Sequence, residues 1–354
     1  IFRHACGVAD LETAEPLTPA HRFQTASHTK IATAAAVLKL AEAGKIGLDR
    51  SIVEILPFLT AAGDAPRAIT PRRILSHAAG ILRDGPSADF WQGHGPFPDR
   101  AALRAWLCDC DTFLPIGPNF KYSNIGYALL GVVIEAVTGE SWADHVRRSV
   151  LAPLGLEAQI APDSEEITHE NVSFAQGYGP PLASGARVRT AAYRVATGAL
   201  APSAGFCAAP EALALLFSRL LHPARSMLAP ETLEAMMTAQ AAIPGMVKDR
   251  HYGYGVIIDK DAARTLYSHI GLWPGHMTKT FHDPARDLTL SVGVNCVDGN
   301  PDFLLRGVME ILGFLEEKPA PDPALVPFAG RFSCAYAVKD AVPVGDHLYI
   351  VSPD

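Results

Sequence analysis

The sequence predicts an α+β protein in which an antiparallel sheet is flanked by helices and a mostly helical segment interrupts the sheet domain. Three observations predict this class. An alanine-rich helix begins at Ser27, helix-like stretches fill much of residues 51–199, and short strand-like segments follow Tyr252. This order predicts a mixed α/β domain of residues 1–50 plus 200–317, with residues 51–199 as an inserted, mostly helical domain.

The first helix is predicted from its spacing and its composition. Apolar side chains recur after Ser27 at positions that share a helix face: Ile31, Ala34, Ala35, Val37, Leu38 and Ala41. Alanine has the highest helix propensity, and Gly44 is suited to end the helix. Residues 1–10 and 21–26, which precede the helix, are predicted as short strands.

Apolar residues at helical spacing, separated by proline and glycine, characterise the insertion. The predicted helices are Ile69–Ala79, Asp99–Leu107, Ser123–Val137 and Ser141–Val150. Residues 160–205 are rich in Gly, Pro, Ala and Ser and are predicted as long loops. Loops of this length in a folded domain tend to frame a site.

The C-terminal part of the chain is rich in β-branched and aromatic residues. Strands are predicted at Tyr252–Ile258, Thr265–Ile270, Gly275–His282 and Leu288–Asn295. Their short connections favour antiparallel pairing. Helices are predicted at Glu211–Leu221 and Asp302–Leu315, and residues 318–354 as a proline-rich linker followed by a partial β segment.

Composition and charge exclude several classes of protein. Hydrophobic residues make up 49% of the 354 residues and charged residues 19%, which is typical of a folded chain and not of a disordered one. The formal net charge is -7 and no basic run is present, which argues against a nucleic-acid partner. The longest apolar stretch, Tyr127–Val137, is interrupted by Glu135 and is too short to span a membrane. The oligomeric state stays open.

The six cysteines are scattered and form no CxxC pair. Free thiols are therefore expected in place of a disulfide framework, which favours a cytoplasmic over a periplasmic location. The chain opens at Ile1 without a methionine, so a signal segment upstream is left open.

The first motif with chemical content is Ser27-His28-Thr29-Lys30, at the start of the predicted helix. Positions three apart share a helix face, so the Ser27 hydroxyl and the Lys30 amine can meet. A lysine with a lowered pKa can take the proton of a serine and make it a nucleophile. Alone, the pattern also fits an N-cap serine and a surface lysine.

A second motif, Tyr122-Ser123-Asn124, opens another apolar helix after a Gly-Pro loop. Tyr122 has the chemistry of a proton shuttle, and the Asn124 amide can hydrogen-bond both Lys30 and a substrate amide. The alternative is that Asn124 caps the helix and Tyr122 is a half-buried aromatic residue.

The third motif is His269-Ile270-Gly271, at the end of a predicted strand. Gly271 lets a ligand backbone approach closely, and an edge strand here can bind a substrate amide by strand addition. The alternative is a structural histidine before a turn. His28, His77 and His276 are predicted to be structural, and Trp91 and Trp273 to line a pocket or to pack in the core.

In this order the three motifs resemble those of the penicillin-recognising serine hydrolases, in the branch of class C β-lactamases, D-aminopeptidases and related esterases. That family has Ser-x-x-Lys, then Tyr-x-Asn, then a Lys- or His-x-Gly strand. The stretches 69–80 and 122–139 also look like the family, and the resemblance covers roughly residues 5 to 316.

The resemblance implies a β-lactamase/transpeptidase-like fold and an acyl-enzyme formed on Ser27, with no metal and no cofactor. The implied catalytic residues are Ser27, Lys30, Tyr122 and Asn124, and the implied substrate-binding residues are His269, Gly271 and Leu272. Lys30 and Tyr122 would be general bases, and the backbone N–H groups of Ser27 and Leu272 would form the oxyanion hole. The tail from Pro327 looks like the first strands of a lipocalin-like domain that some D-aminopeptidase relatives carry.

One departure from the family affects the expected substrate. β-Lactamases usually have Lys where this chain has His269, and a histidine is mostly neutral at pH 7. This shifts the expectation towards small esters, amides or D-amino-acid peptides as substrates. Two alternatives stay open, a β-lactamase proper and a non-hydrolytic penicillin-binding or assembly relative.

Overall fold

Sixteen short strands are present in the part of the chain that the structure describes. The computed structural model describes residues 1–117, 120–163, 172–190, 195–245, 249–260, 264–317, 320–334 and 337–351. The strands are β1 Val8–Asp10, β2 Glu15–Pro16, β3 Phe23–Gln24, β4 Ile160–Ala161, β5 Tyr178–Pro181, β6 Arg187–Arg189, β7 Cys207–Ala208, β8 Ala241–Ala242, β9 Arg250–Tyr252, β10 Ile257–Lys260, β11 Thr265–Trp273, β12 His276–Asp283, β13 Leu288–Val294, β14 Gly330–Cys334, β15 Ala337–Val344 and β16 His347–Val351.

The described helices confirm most of the predicted ones, with shifted ends. They are α1 Thr29–Glu42, α2 Ile52–Ile55, α3 Pro71–Leu75, α4 Arg100–Leu107, α5 Asn124–Thr138, α6 Trp142–Val146, α7 Ala201–Ala204, α8 Pro210–Leu220, α9 Pro230–Met237 and α10 Pro301–Glu317. The helix predicted over Ile69–Ala79 is wrong in extent, since α3 ends at Leu75 and His77 has a left-handed φ of 57°. Among these described elements α2, α7 and α9 were not predicted.

The largest sheet is antiparallel, with the strand order β13-β12-β11-β10-β9-β8. The predicted α+β class with an antiparallel sheet is therefore confirmed. The N-terminal strands pair elsewhere, β1 with β2 and β3 with β7. The chain folds into two compact units, Ile1–Pro301 and Asp302–Asp354, and the second unit holds most of α10 and the sheet β14-β15-β16. The division at residues 50 and 199 stays a prediction.

Helix α1 is buried almost all round, as expected for a helix in the middle of a core. Its apolar residues belong to the main cluster of buried side chains. A 3-10 turn, Ala26–His28, precedes it, and Gly44 follows its end with φ 69°. The predicted helix is confirmed, although Ser27 lies in this turn and not in the α-helix itself.

The strand predicted over Tyr252–Ile258 is two strands, because a tight turn separates β9 from β10. Gly255 lies in this turn with φ 76°. A Cβ there would lie 2.8 Å from the Lys30 carbonyl oxygen and 2.7 Å from Ala34, so only glycine lets the turn pack against α1. The composition that predicted a strand here did not reveal this contact.

Strand β11 is longer than predicted and runs on to Trp273, where Pro274 and Gly275 make a two-residue turn into β12. The His-Ile-Gly motif therefore lies inside a strand and not at its end. Strand β10 pairs with β11 only as far as Ser268. The edge of β11 beyond Ser268 is thus not paired with β10.

The region predicted as long loops, residues 160–205, contains the short strands β4, β5 and β6 and the helix α7. The prediction of uninterrupted loops is wrong there, and residues 164–171 and 191–194 lie outside the described residues. Free thiols are confirmed for the described cysteines Cys6, Cys108, Cys110, Cys207 and Cys296. No described helix combines the length and apolarity that a membrane span needs.

Candidate active site

The first motif brings a hydroxyl and an amine together at the start of α1. Lys30 Nζ lies 3.1 Å from Ser27 Oγ, as the three-residue spacing predicts. Ser27 is half-buried, whereas Lys30 is fully buried. Ala26, directly before the serine, has a φ of 43°, a left-handed conformation that costs energy in a residue other than glycine. Strain of this kind cannot be read from the sequence.

The second motif reaches the same hydroxyl from another part of the chain. Ser123 caps α5, because its Oγ accepts a hydrogen bond from the Gly126 N–H at 2.8 Å. The cap is therefore not Asn124, and the Asn124 side chain is available to the site. Tyr122, just outside the helix, donates its hydroxyl hydrogen to Ser27 Oγ at 2.8 Å.

The amine of Lys30 has two further partners, and both are pure acceptors. Nζ donates to Asn124 Oδ1 at 2.7 Å and to the backbone carbonyl of Ser203 in α7 at 2.8 Å. A neutral amine has two N–H hydrogens and one lone pair. In the neutral form, an amine that donates both hydrogens to these acceptors has its lone pair left for Ser27 Oγ, 3.1 Å away.

Burial lowers the pKa of Lys30 well below its usual value, since a buried ammonium loses its hydration. The negative charge of Asp84 opposes this shift, and the positive charge of Arg83 adds to it. The neutral amine is thus favoured at a position where a proton acceptor is needed.

The orientation of the Asn124 amide is fixed by Asp84, which no sequence pattern indicated. Asp84 Oδ1 accepts hydrogen bonds from Asn124 Nδ2 at 2.6 Å and from the Trp91 indole N–H at 2.9 Å. Its other oxygen lies 3.1 Å from Nε of Arg83. Because a carboxylate only accepts, it holds the amide with nitrogen towards Asp84 and oxygen towards Lys30.

Two basic side chains lie over the Tyr122 ring, with Lys30 Nζ 4.9 Å and the Arg83 guanidinium carbon 5.6 Å from the ring centroid. Burial raises the pKa of Tyr122, while its hydrogen bond to Ser27 and the Arg83 charge act in the opposite direction. The net shift keeps the hydroxyl protonated, so in the resting state Tyr122 is a proton donor.

His269 lies beside this group but is only 1% exposed. Its Nε2 shares a hydrogen bond with the Tyr252 hydroxyl at 3.0 Å, and its Nδ1 contacts the backbone of Ile270. Burial lowers the pKa of His269 well below its usual value, and the nearby charges of His28 and Lys30 lower it further. A side chain this buried is neutral and has almost no contact with solvent.

Gly271 is needed for contact with the chain's own backbone. A Cβ at Gly271 would overlap the Thr25 carbonyl oxygen and the Thr278 hydroxyl, so only glycine lets β11 lie against the turn that carries Ser27. The sequence analysis predicted that Gly271 leaves room for a ligand backbone. In the structure, the backbone of Thr25 occupies that space.

Leu272 follows in the same strand, with its side chain half exposed. Trp273 and His276 form the hydrogen-bonded pair that closes the two-residue hairpin. Hydrogen-bonded and non-hydrogen-bonded pairs alternate along an antiparallel ladder, so the next pair, Leu272 with Met277, is not hydrogen-bonded. This alternation directs the Leu272 N–H away from β12, towards the edge that β10 leaves unpaired. The predicted oxyanion-hole donor thus lies in a strand that packs against the nucleophile turn.

The three histidines predicted to be structural are all buried with protein partners. The pairs are His28 with Thr280, His77 with Ser123 and His276 with Ala175. Burial lowers the pKa of His28 to about 3 and that of His276 to about 4. Trp273 is 3% exposed and stacks on Phe97 at 5.2 Å, so it packs in an aromatic cluster.

One exposed group of the described residues has potential metal ligands close together. Asp109, Cys110 and Asp111 place ligand atoms within 4.8 Å of one another. The Asp109 carboxylate already accepts a hydrogen bond from the Asp111 N–H at 3.0 Å as the cap of a 3-10 turn, which accounts for its position.

The chain is similar to several known proteins. A family model described as Beta-lactamase matches residues 1–308. The chain is 33% identical over 165 residues to penicillin-binding protein 4 of Amycolatopsis lactamdurans, covering 46% of this chain and 42% of that protein. It is 28% identical over 315 residues to esterase EstB of Burkholderia gladioli, covering 78% of this chain and 77% of that protein.

Among solved structures, D-amino acid amidase from Ochrobactrum anthropi SV3, complexed with L-phenylalanine amide, has a TM-score of 0.70 at 22% identity. The match covers 88% of this chain and 89% of that chain. At this identity the similarity shows the fold alone.

The fold and the family match define the class of protein, one with the β-lactamase/transpeptidase fold. The chain belongs to the Beta-lactamase family, which confirms the resemblance seen in the three motifs. It spans about two fifths of the length of penicillin-binding protein 4.

Proposed function

We propose that this chain forms an acyl-enzyme on Ser27 and hydrolyses small esters, amides or D-amino-acid peptides. The observation that carries the proposal is the set of partners of Lys30. Nζ lies within hydrogen-bond distance of Asn124 Oδ1, the Ser203 carbonyl and Ser27 Oγ. A neutral amine that donates to the first two has its lone pair left for the Ser27 hydroxyl. A serine whose proton is accepted in this way is an activated nucleophile.

In the acylation step, Ser27 Oγ attacks the carbonyl carbon while its proton moves to Lys30 Nζ. As the tetrahedral intermediate collapses, the leaving group takes a proton from the Tyr122 hydroxyl, 2.8 Å from Oγ. Tyr122 regains a proton from the Lys30 ammonium. The raised pKa of Tyr122 and the lowered pKa of Lys30 support this division between donor and acceptor.

The negative charge of the tetrahedral intermediate would be stabilised by the backbone N–H groups of Ser27 and Leu272. The contact between Gly271 and Thr25 supports this, because it holds the two backbone segments together. Removing one donor of such a pair typically lowers turnover by about 10²–10³-fold. In deacylation, a water near Tyr122 would attack the acyl carbon and give a proton to the Lys30–Tyr122 pair. As the bond between the acyl carbon and Ser27 Oγ breaks, the pair would return a proton to Oγ, which restores the Ser27 hydroxyl.

The buried, neutral His269 favours an ester or amide over a β-lactam as substrate. A fixed positive charge on the third motif would hold a substrate carboxylate, and His269 carries none at neutral pH. The similarity to an esterase over most of both chains agrees with this choice.

Labelling with a serine-reactive fluorophosphonate, followed by intact-mass analysis, tests the nucleophile. We expect one adduct on the unmodified chain, none on Ser27→Ala, and full labelling of the control Ser149→Ala. Ser149 donates to the His145 carbonyl outside the site. An adduct that persists on Ser27→Ala would exclude Ser27.

A panel of p-nitrophenyl esters, D-aminoacyl p-nitroanilides and nitrocefin tests the substrate class. We expect turnover of an ester or a D-aminoacyl substrate at a higher kcat/KM than nitrocefin. Faster nitrocefin hydrolysis would point to a β-lactamase. Labelling of Ser27 without turnover of any member would point to a non-hydrolytic penicillin-binding relative.

A further inference from the structure

A cavity that Ser27 does not line lies between α4, α5, α6 and residues 198–202. Its volume is about 250 Å³. This is slightly below the usual range for pockets that hold drug-sized ligands, so it suits a smaller molecule. None of the candidate catalytic side chains lines it.

The inner part of the cavity is apolar. Leu103 and Leu107 of α4, Ala128 of α5 and Trp142 of α6 line it and are almost completely buried from solvent. The Trp142 indole N–H is already donated to the Thr33 hydroxyl at 3.1 Å, so it is not left unpaired. This surface suits a short aliphatic or aromatic group.

The mouth of the cavity is charged. Arg100 pairs with Glu135, with its Nη2 2.5 Å from Oε1, so these two charges cancel. Arg104 stacks on the Phe58 ring, with the guanidinium carbon 4.1 Å from the ring centroid. Among the described residues no carboxylate lies within ion-pair distance of Arg104.

We propose that this cavity binds a small carboxylic acid with an apolar body. The three charged side chains at the mouth sum to one positive charge, which selects an anion. The planar guanidinium of Arg104, already held by Phe58, suits a carboxylate through two parallel hydrogen bonds. The apolar part of the acid would lie on the partly exposed lining residues Val132, Ala143 and Ala199, above the buried Leu103 and Trp142.

The cavity shares two helices with the candidate active site but no side chain. Pro202 lines the cavity, and the next residue, Ser203, supplies the carbonyl that accepts from Lys30. Ala128 lies one helical turn after Asn124 on α5. The site is therefore separate from the nucleophile, and its test does not depend on the proposed reaction.

Isothermal titration calorimetry on Ser27→Ala, in which no acyl-enzyme can form, tests the proposal with 4-phenylbutyrate as the probe. We expect one binding site, with Arg104→Gln weakening the affinity about tenfold or more through loss of a charge-assisted contact. Val132→Phe, which adds bulk at the half-buried wall of the cavity, should weaken it similarly. Arg67→Gln removes an exposed arginine elsewhere and should leave the affinity unchanged.

The neutral amide, 4-phenylbutyramide, separates a charged site from a merely apolar one. We expect it to bind about tenfold or more weakly than the acid. Equal binding of acid and amide would overturn the proposal, as would unchanged affinity in folded Arg104→Gln. No binding of the acid at concentrations up to about 10 mM would also overturn it.

Discussion

Asp84 accepts a hydrogen bond from the Asn124 amide nitrogen at 2.6 Å and thereby sets which end of that amide faces Lys30. The oxygen end faces Lys30 Nζ at 2.7 Å, and the amine in turn lies 3.1 Å from Ser27 Oγ. A carboxylate with no hydrogen bond to the nucleophile or the lysine thus decides that Lys30 meets an acceptor at Asn124.

Two substitutions separate the charge of Asp84 from its hydrogen bond. Asp84→Asn keeps an acceptor for Asn124 but removes a negative charge that raises the pKa of Lys30. The neutral amine then persists to lower pH. We expect the acid limb of the kcat/KM profile to move to lower pH, with a modest loss of kcat.

Asp84→Ala removes the acceptor as well, so the amide is free to rotate. We expect kcat to fall by about 10–100-fold, on the scale of a misplaced general base. Rescue of kcat by Asn but not by Ala would identify Asp84 as a positioning residue. An acid limb that moves to higher pH in Asp84→Asn would contradict this account.

Tyr122→Phe removes the hydroxyl that donates to Ser27 Oγ but leaves the Lys30 network in place. We expect fluorophosphonate labelling of Ser27 to persist, while hydrolysis of an amide falls by about 10²–10⁴-fold because the leaving amine needs a proton. An ester with an acidic phenol as leaving group should lose less. Tyr267→Phe, a half-buried tyrosine in β11, is the control. Equal losses on amide and activated ester would argue against Tyr122 as the donor.

Gly271→Ala places a methyl group against the Thr25 carbonyl and the Thr278 hydroxyl. Strand β11 must then move away from the nucleophile turn. We expect a melting temperature lowered by several degrees and a kcat reduced by about 10²-fold or more, since the Leu272 N–H moves with the strand. Gly307→Ala, on a helix where the added methyl meets nothing within 4 Å, should leave both unchanged. Normal activity in Gly271→Ala would show that the strand tolerates the shift.

His269→Lys would create the residue that β-lactamases usually carry at this position. Here the side chain is buried, and the charges of Lys30, Lys279 and His28 all lower the pKa of His269. A lysine ammonium would be disfavoured for the same reasons. We expect a lower melting temperature and no rise in the ratio of nitrocefin to p-nitrophenyl-ester turnover. His269→Gln, which stays neutral, is the matched control. A clear rise in the ratio would show that a lysine here reaches the substrate.

Buried neutral histidines predict that stability falls in weak acid. Burial lowers the pKa of His28 to about 3 and the pKa values of His276 and His282 to about 4, below the unfolded value of 6.5. Below pH 6.5 the unfolded chain therefore binds more protons than the folded chain. The free energy of unfolding should fall with decreasing pH, by about 1.4 kcal/mol per pH unit for each histidine, until the folded values are reached.

Urea unfolding at a series of pH values measures this slope. His276→Gln should reduce the slope by the contribution of one histidine, whatever its effect on stability at pH 7. The same slope in both proteins would show that His276 does not carry a lowered pKa in the folded state.

The sequence by itself determined the family, the order of the three motifs and the elements that carry them. Ser27 and Lys30 meet because residues three apart share a face, and α5 begins after the Gly-Pro loop because an apolar run at helical spacing follows it. These are local rules, and short-range spacing was enough to apply them.

Only the tertiary structure decided which acceptors surround Lys30 and that Asp84 orients the Asn124 amide. It also decided that Thr25 fills the space next to Gly271. The physical reason is that these contacts join residues far apart in the chain. Burial lowers the pKa values of Lys30 and His269. It depends on packing from all sides, so a short stretch of sequence does not predict it.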